Sequence, residues 1–443
     1  MQKAPQKLLL VELNEVNFDF VRRYIARGEL PTLAGLLSRH GLVETSSETE
    51  YQHLEPWIQW VTAHTGKTFA EHGVFRLGDI VEQDIDQIWE RLERGGLSVG
   101  AISPMNAKNR TRDAAFFVPD PWTRTAVSGD RSLQLISEAL SQAVGDNASA
   151  RIAPGSYLKL MRGLAAHFRV STIGQLLKFV LGRPSSPWYG AMFLDRFLAD
   201  VFVRQWRRHQ PDFSSLFLNA AAHIQHHYMF SSSVYDGPNH NPAWYLAPGK
   251  DPLLDIYRLY DDIVRDMLAL PGSPRLMVAT GLHQDPYPTE LYYYRLVDHA
   301  SFLKQLGIRF DSVLPLMSRD FTVSFDSAQA SRDAAQMLQD VRAPDGIPVF
   351  SVDNRGSSLF AMLTYPKEIR PGFVPSLNGR ALWDIHGDVT FVALKNGEHN
   401  GTGYFIDTGA RVAESEKGFQ LSELPGRIAA ALGQDVKQNT VCF

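Results

Sequence analysis

Apolar and polar residues follow one another along the chain in two alternating patterns. Short, almost continuously apolar runs such as "KLLLVELN" (residues 7–14), "FSSLFL" (213–218) and "RLMVATG" (275–281) predict buried strands. The segment "PLLDIYRLYDDIVRDMLAL" (252–270) spaces its apolar residues at helical intervals and predicts an amphipathic helix. Because predicted strands and helices alternate in this way, the sequence predicts an α/β fold around a mostly parallel central sheet.

The alternation is interrupted between residues 290 and 385, where strand and helix patterns mix. We interpret residues 290–385 as a cap or insertion in a core made of residues 1–289 and 386–443. Within that core, residues 130–210 are mainly helical by pattern and form a predicted helical insertion. The most apolar part of it, "STIGQLLKFVLG" (171–182), predicts a buried or an interfacial helix, and burial is the favoured alternative.

The composition is that of an ordinary globular protein, with 44 basic and 48 acidic residues and a formal net charge of −4. The short basic run "RQWRRH" (204–209) predicts a solvated helix face, so we expect no nucleic-acid partner. The one cysteine, Cys442, excludes an intrachain disulfide. We find no secretory leader and no apolar stretch that would span a membrane, so a cytoplasmic location is the default expectation. The oligomeric state stays open, a homo-oligomer included.

Four polar clusters follow predicted strands or lie between them. Ligands of open α/β sheets bind beyond the carboxyl ends of the strands, and imidazole and carboxylate groups gathered there can form a zinc or manganese site. Each histidine taken alone is equally consistent with a hydrogen-bonded structural residue. The clusters are "ELNE" with Glu12, Asn14 and Glu15, "AHIQHHY" with His223, His226 and His227, "GLHQD" with His283 and Asp285, and "NGEHNG" with Glu398 and His399.

The order of the motifs carries more information than any one of them. From the amino end they are "LVELNEVNFDFVRRYIARGELPTL", "EPWIQWVTAHTGKTFAEHGVF", "AHIQHHYMF", "YRLYD", "TGLHQ" and "NGEHNGTGYFIDTG". In this order they resemble the alkaline phosphatase superfamily, in particular its type I phosphodiesterase and nucleotide pyrophosphatase branch. The resemblance implies an alkaline-phosphatase-like three-layer sandwich with a cap insertion, and the activity of a phosphoester hydrolase or transferase.

The chain departs from that family at the positions that carry its chemistry. In the family, two metal ions are held mostly by aspartates and histidines, and a serine or threonine attacks phosphorus. The residues at the three aspartate positions and at the nucleophile position are Asn14, Ala222, Gly281 or Leu282, and Leu54 or Pro56. Without three carboxylates, the site lacks about three negative charges that would offset the repulsion between two divalent ions. We therefore expect a degenerate site with a single metal ion.

The surviving residues define the predicted site. His226, His283 and His399 are the predicted ligands of zinc or manganese, completed by a carboxylate from Glu15, Glu55 or Asp285. Glu55 is the predicted general base or nucleophile, and Asn14 and Glu15 are predicted to orient the ligand. The predicted substrate-binding residues, which offer aromatic, amide and carboxylate groups, are Trp57, Gln59, Asn106, Asn109 and Asp120. A place in the core of a helix is the alternative for Trp57.

Two functions are consistent with these residues. The first is a hydrolase or transferase that acts on a phosphorylated or nucleotide-linked small molecule or glycan through a single-metal site. The second is a catalytically silent protein that binds a glycan or nucleotide, or that scaffolds a biosynthetic complex. The two functions differ in a measurable way, because ligand binding by the silent protein would be indifferent to a chelator.

Overall fold

The computed structural model describes residues 6–146, 167–316, 319–410 and 418–434 of the chain. They belong to two compact units. The first unit contains residues 1–236, 246–285 and 397–443, and the second contains residues 237–245 and 286–396. Residues 147–166 of the predicted helical insertion and Cys442 lie outside the described residues.

An eight-stranded sheet forms the centre of the first unit. From edge to edge its strands are Phe419–Gln420, Val43–Ser46, Thr402–Asp407, Arg275–Ala279, Leu8–Leu13, Phe213–Leu218, Val99–Ile102 and Phe116–Val118. The strand Thr402–Asp407 runs antiparallel to both of its neighbours, and the other neighbouring strands are parallel. The predicted α/β fold with a mostly parallel central sheet is therefore confirmed.

The strand Leu8–Leu13 shows why its sequence is apolar throughout. It pairs with a strand on each side, and all six of its residues are buried. Leu9, Val11 and Leu13 belong to the core on one face of the sheet, and Leu8 and Leu10 to the core on the other. Since side chains alternate between the faces of a strand, a strand covered on both faces needs a continuous apolar run.

Helices cover both faces of this sheet. The helices whose side chains enter the core with Leu9 and Val11 are Phe18–Ala26, Pro31–His40, Arg131–Asp146, Ile173–Gly182, Tyr189–His209, Ala220–Tyr228 and Pro252–Leu268. The helices on the opposite face are Pro56–Thr65, Ile88–Arg94 and Leu424–Ala431. A further short helix, Phe69–His72, lies against Pro56–Thr65. The first unit is thus a three-layer sandwich, as the sequence predicts.

The helix Ile173–Gly182 differs from the favoured prediction of burial. Leu176 and Phe179 are buried, whereas Leu177 and Leu181 are exposed. The difference arises because the apolar residues of this segment extend around more of the helix than its contact with the core covers. Within the described ranges, no helix combines the length and the apolar composition needed to cross a bilayer.

The second unit is built mainly from antiparallel strands. Its four-stranded sheet has the order Phe350–Asn354, Ser358–Leu363, Asp320–Ser324 and Ser312–Pro315. Its other elements are the strand pair Tyr292–Leu296 and Val389–Leu394, the short strands Val341–Arg342, Ser376–Leu377 and Arg380–Ala381, and the helices His299–Gln305 and Ala328–Gln339. Residues 386–396, which the sequence assigns to the core, lie in this unit. Their strand pairs with Tyr292–Leu296, a partner that periodicity alone cannot select.

Candidate metal site

The site begins where the first strand ends. The backbone N–H of Asn14 donates to Leu218 O and that of Glu15 to Thr280 O, so the residues that follow Leu8–Leu13 are attached to the ends of both neighbouring strands. Glu15 has a φ of +60°, which is rare for a residue with a side chain, and Gln225 Nε2 donates to its carbonyl oxygen at 2.7 Å. These bonds hold the Glu15 backbone in a left-handed conformation.

Two histidines from distant parts of the chain meet the Glu15 carboxylate. His226 comes from the helix Ala220–Tyr228, and His399 comes from the strand Gly397–Asn400. Glu15 Oε2 lies 3.4 Å from His226 Nε2 and 3.1 Å from His399 Nε2, and the two Nε2 atoms are 3.3 Å apart. These three atoms form the one triangle of possible metal ligands among the described residues.

The dimensions of this triangle match those of a metal site. A tetrahedral metal ion with bonds of about 2.0–2.1 Å keeps its ligand atoms about 3.3–3.4 Å apart. The three observed separations, 3.1–3.4 Å, lie close to that spacing. The Glu15 side chain is buried, whereas that of His226 is one-third exposed, so the triangle is accessible from one side.

Each of the three residues also contacts another group through an atom that is not part of the triangle. His226 Nδ1 lies 3.3 Å from Gly397 O, and His399 Nδ1 lies 3.8 Å from Glu55 Oε2. Asn14 Nδ2 donates to the second oxygen of Glu15, Oε1, at 2.9 Å. A partner on the second nitrogen of an imidazole fixes its tautomer and turns the first nitrogen toward the metal, as in metal sites generally.

The pKa of Glu15 lies well below its usual range. Burial by itself raises this pKa, but the positive charge of a protonated His399 and the hydrogen bonds with His226 and His399 together lower it by more. Glu15 is therefore an ionised carboxylate, which is the form that binds a metal ion.

Asn14 connects the site to the core. Its Oδ1 accepts a hydrogen bond from Trp60 Nε1 at 2.7 Å, and its Nδ2 also donates to Asn219 Oδ1 at 2.8 Å. Trp60 belongs to the helix Pro56–Thr65, and its side chain is fully buried in the core of the first unit. Asn14 thus orients Glu15, and both of its polar groups are already occupied.

The structure does not bring His283 to the triangle. His283 Nδ1 lies 2.6 Å from Thr402 O, and His283 Nε2 lies 3.0 Å from Asp285 Oδ1, so both ring nitrogens have other partners. The reason is the alternation of side chains along the strand His283–Pro286. The next residue, Gln284, points to the site instead, and its Nε2 donates to Glu15 Oε2 and to Ala222 O.

The predicted substrate-binding residues have internal partners. Asn106 Nδ2 donates to Trp57 O at 2.9 Å, and Asp120 accepts from the Asn106 backbone N–H at 2.7 Å. Trp57 Nε1 donates to Phe75 O, Gln59 Nε2 to His53 O, and Asn109 Nδ2 to Ala126 O. The structure thus shows these residues stabilising loops. Their binding of a substrate stays a prediction.

The other two histidines of "AHIQHHY" lie apart from the triangle. The segment is helical, as the spacing of the histidines requires if His223 and His227 are to share a face. Their ring centroids are 4.7 Å apart, edge to face, while His226 points toward Glu15.

Two glutamines that are not among the predicted site residues also belong to this site. Gln284 contacts Glu15 directly, and Gln225 holds the Glu15 backbone. Gln225 Oε1 also accepts hydrogen bonds from Asn17 N and Tyr257 Oη. Each glutamine is next to a histidine in the motifs "AHIQHHY" and "GLHQD". Both are fully buried in the structure, and this burial, which the sequence does not show, distinguishes them from ordinary surface glutamines.

No protein-family model and no curated protein matches the sequence. Among solved structures, the chain is similar to phosphonoacetate hydrolase from Sinorhizobium meliloti 1021, with 13% identity, a TM-score of 0.45 and coverage of 97% of this chain and 96% of that one. It is also similar to murine ectonucleotide pyrophosphatase/phosphodiesterase 5 (11%, TM-score 0.41, 97% and 96%) and to the alkaline phosphatase PafA (11%, TM-score 0.43, 98% and 97%).

Proposed function

We propose that this protein is a phosphoester hydrolase or transferase that uses one divalent metal ion, zinc or manganese. The observation that carries the proposal is the triangle of His226 Nε2, His399 Nε2 and Glu15 Oε2. Two imidazoles and one carboxylate are the ligand set of many catalytic zinc sites, in which the fourth position is left for water or substrate. The proposed substrates are phosphorylated or nucleotide-linked small molecules or glycans.

The residues of the chain have distinct proposed roles. Glu15, His226 and His399 would hold the ion, and Asn14 and Gln284 orient the Glu15 carboxylate. A metal ion bound there would polarise a phosphoryl oxygen and lower the pKa of a bound water. The burial of Glu15 excludes water from one side of the site, which strengthens its electrostatic interactions.

Glu55 has a position that suits the orientation of a ligand. Its Oε2 lies 3.8 Å from His399 Nδ1, which is too long for a hydrogen bond but short enough for an ionic contact. A carboxylate there favours the tautomer with the proton on Nδ1, which leaves the Nε2 lone pair facing the triangle. We propose that Glu55 is a positioning residue for His399. Its action as a base or nucleophile stays a prediction from the sequence.

One observation favours the silent binding protein as a second candidate. The positions at which a hydroxyl nucleophile is expected carry Leu54, which is buried, and Pro56, which begins a helix. Neither side chain can attack phosphorus, so turnover would depend on water or on Glu55.

The experiment compares metal content and turnover. Freshly purified wild type, His226→Ala and His399→Ala would be analysed by metal mass spectrometry and assayed with p-nitrophenyl phosphate and bis(p-nitrophenyl) phosphate. We expect about one equivalent of zinc or manganese in the wild type, and loss of both metal and turnover in the two variants.

His227→Ala is the matched control. It removes an imidazole from the same helix, one residue away, whose ring lies against His223 rather than against Glu15. The control should keep the metal. Turnover that survives in folded His226→Ala and His399→Ala would refute the proposal, and a metal-free wild type without turnover would leave the binding protein as the better candidate.

A further inference from the structure

The helix Ile173–Gly182 has an apolar surface that nothing in the described structure covers. Its buried residues, Leu176 and Phe179, pack beside the long helix Tyr189–His209. The exposed apolar residues of this region, with their exposed fractions, are Val170 (89%), Ile173 (37%), Leu177 (53%), Val180 (54%) and Leu181 (78%).

These exposed residues form one stripe rather than a scatter. Ile173, Leu177, Val180 and Leu181 are separated by intervals that place them on one side of a helix. Five of the fourteen large hydrophobic residues that are exposed in the described chain lie within the twelve residues 170–181. A contiguous apolar patch of this kind marks an interaction surface, whereas single exposed hydrophobic residues do not.

The charged side chains of the segment that carries the stripe are positive, although two aspartates of the neighbouring helix Pro252–Leu268, Asp255 and Asp262, lie beside it. The sequence has no aspartate or glutamate between Asp146 and Asp195, although the whole chain has a net charge of −4. Lys178 in the middle of the helix and Arg183 at its carboxyl end are exposed. A segment that exposes basic but no acidic side chains favours an anionic partner.

A basic cavity continues this surface. It has a volume of about 460 Å³ and is lined by Val170 of the apolar region and by Arg204 and Arg207 of the long helix. Both arginines are exposed, and neither forms a salt bridge with a described carboxylate, whereas the adjacent Arg208 pairs with Asp130. Arg169 also lines the cavity but is paired with Asp266. Two arginines are therefore available for an anion from outside the chain.

We propose that this surface, which we call the docking face, binds the protein to an anionic lipid membrane. It consists of Val170, the helix Ile173–Gly182, Arg204 and Arg207. An amphipathic helix inserts its apolar stripe between lipid headgroups, and nearby arginines and lysines bind the lipid phosphates. A second copy of the chain fits less well, because a two-fold interface would bring the arginines of two docking faces together without a carboxylate on either face to pair with them.

Vesicle sedimentation tests the docking face. The full-length protein would be mixed with vesicles of phosphatidylcholine alone, or of phosphatidylcholine and phosphatidylglycerol in equal parts. We expect binding to the mixed vesicles only. The double substitution Leu177→Glu with Leu181→Glu should weaken this binding about tenfold or more, because two inserted side chains become charged. Arg204→Gln with Arg207→Gln should weaken it by about tenfold and reduce its dependence on salt.

Leu314→Glu is the matched control, since Leu314 is an exposed leucine of the second unit. This variant should bind like the wild type. Equal binding by wild type and both double variants, or no binding by the wild type, would overturn the proposal. Dimers of the wild type in light scattering that the leucine substitutions abolish would also overturn it in favour of self-association. Because the docking face shares no residue with the metal triangle, loss of membrane binding and loss of metal are separate outcomes.

Discussion

Gln284 and His283 are neighbours in one strand, and their side chains lie on opposite sides of it. Gln284 donates to Glu15 Oε2, while His283 is bonded to Thr402 O and Asp285. We therefore expect Gln284→Ala to weaken zinc binding by about 10–100-fold, as the loss of a partner behind a metal ligand generally does. Zinc competition against a chromophoric chelator measures the dissociation constant.

His283→Asn is the companion variant for this measurement. Asparagine keeps a polar side chain on the side of the strand away from Glu15, so the zinc dissociation constant should stay within a few-fold of the wild type. The unfolding temperature of both metal-free variants shows whether a change is merely structural. Weaker binding in His283→Asn with normal binding in Gln284→Ala would restore His283 as the ligand and contradict the geometry.

At the scale of single residues, the sequence predicts which residue types form the site better than it predicts where their side chains point. Glu15, His226 and His399 are all candidate ligands in the sequence, because they lie in polar clusters after or between predicted strands and the order of these clusters resembles that of the family. His283 was the third predicted histidine, but the choice between His283 and Gln284 depends on which residue begins the strand. A shift of one residue exchanges the two faces, and the sequence "GLHQD" does not define that register.

The helix that carries His226 begins above a buried carboxylate. Asp195 accepts hydrogen bonds from the backbone N–H of Ala220 at 2.8 Å and from Tyr260 Oη at 2.7 Å. Burial raises the pKa of Asp195 from 3.8 to about 6, although these hydrogen bonds lower it. The folded protein therefore binds this proton more tightly than the unfolded chain does.

This raised pKa predicts a pH dependence of stability. The stabilisation is complete below the unfolded pKa of 3.8 and is lost as the pH rises through about 6. The loss amounts to about 3 kcal/mol in the free energy of unfolding.

Asp195→Asn should abolish this part of the pH dependence, because asparagine can still accept a hydrogen bond from Ala220 N but does not titrate. Urea unfolding of the chelator-treated protein across this pH range measures the effect, with Asp353→Asn, an exposed carboxylate, as the control. Identical pH profiles for wild type and Asp195→Asn would contradict the expectation.

At the scale of elements, the strands and helices of the central sandwich could be predicted because their periodicity reports burial directly. The run "KLLLVELN" is apolar at every position since both faces of Leu8–Leu13 are covered. The partners of strands could not be predicted in this way. Nothing in the sequence of Val389–Leu394 indicates that it pairs with Tyr292–Leu296 in the second unit. For the same reason, the sequence leaves both burial and an interfacial position open for Ile173–Gly182, and the favoured alternative, burial, holds for only part of its apolar residues.

At the scale of the whole molecule, the metal triangle joins distant parts of the chain. Glu15 follows the first strand, His226 lies near the middle of the sequence, and His399 precedes the strand Thr402–Asp407. An unfolded chain does not keep three such residues within bonding distance, because closing loops of this length costs conformational entropy. A metal ion that needs all three ligands therefore binds the folded protein in preference to the unfolded chain.

Zinc should consequently stabilise the entire first unit against heat. At a free concentration about a hundred times the dissociation constant, one ion adds about 2.7 kcal/mol to the free energy of unfolding. This corresponds to an increase of several degrees in unfolding temperature, which a chelator should reverse. His226→Ala should remove the zinc response, and His227→Ala should retain it. Thermal unfolding followed by circular dichroism measures all three proteins under the same conditions. A zinc response that is unchanged in His226→Ala would place the ion elsewhere, with the His223 and His227 pair as the next group to substitute, since their rings lie 4.7 Å apart on the same helix.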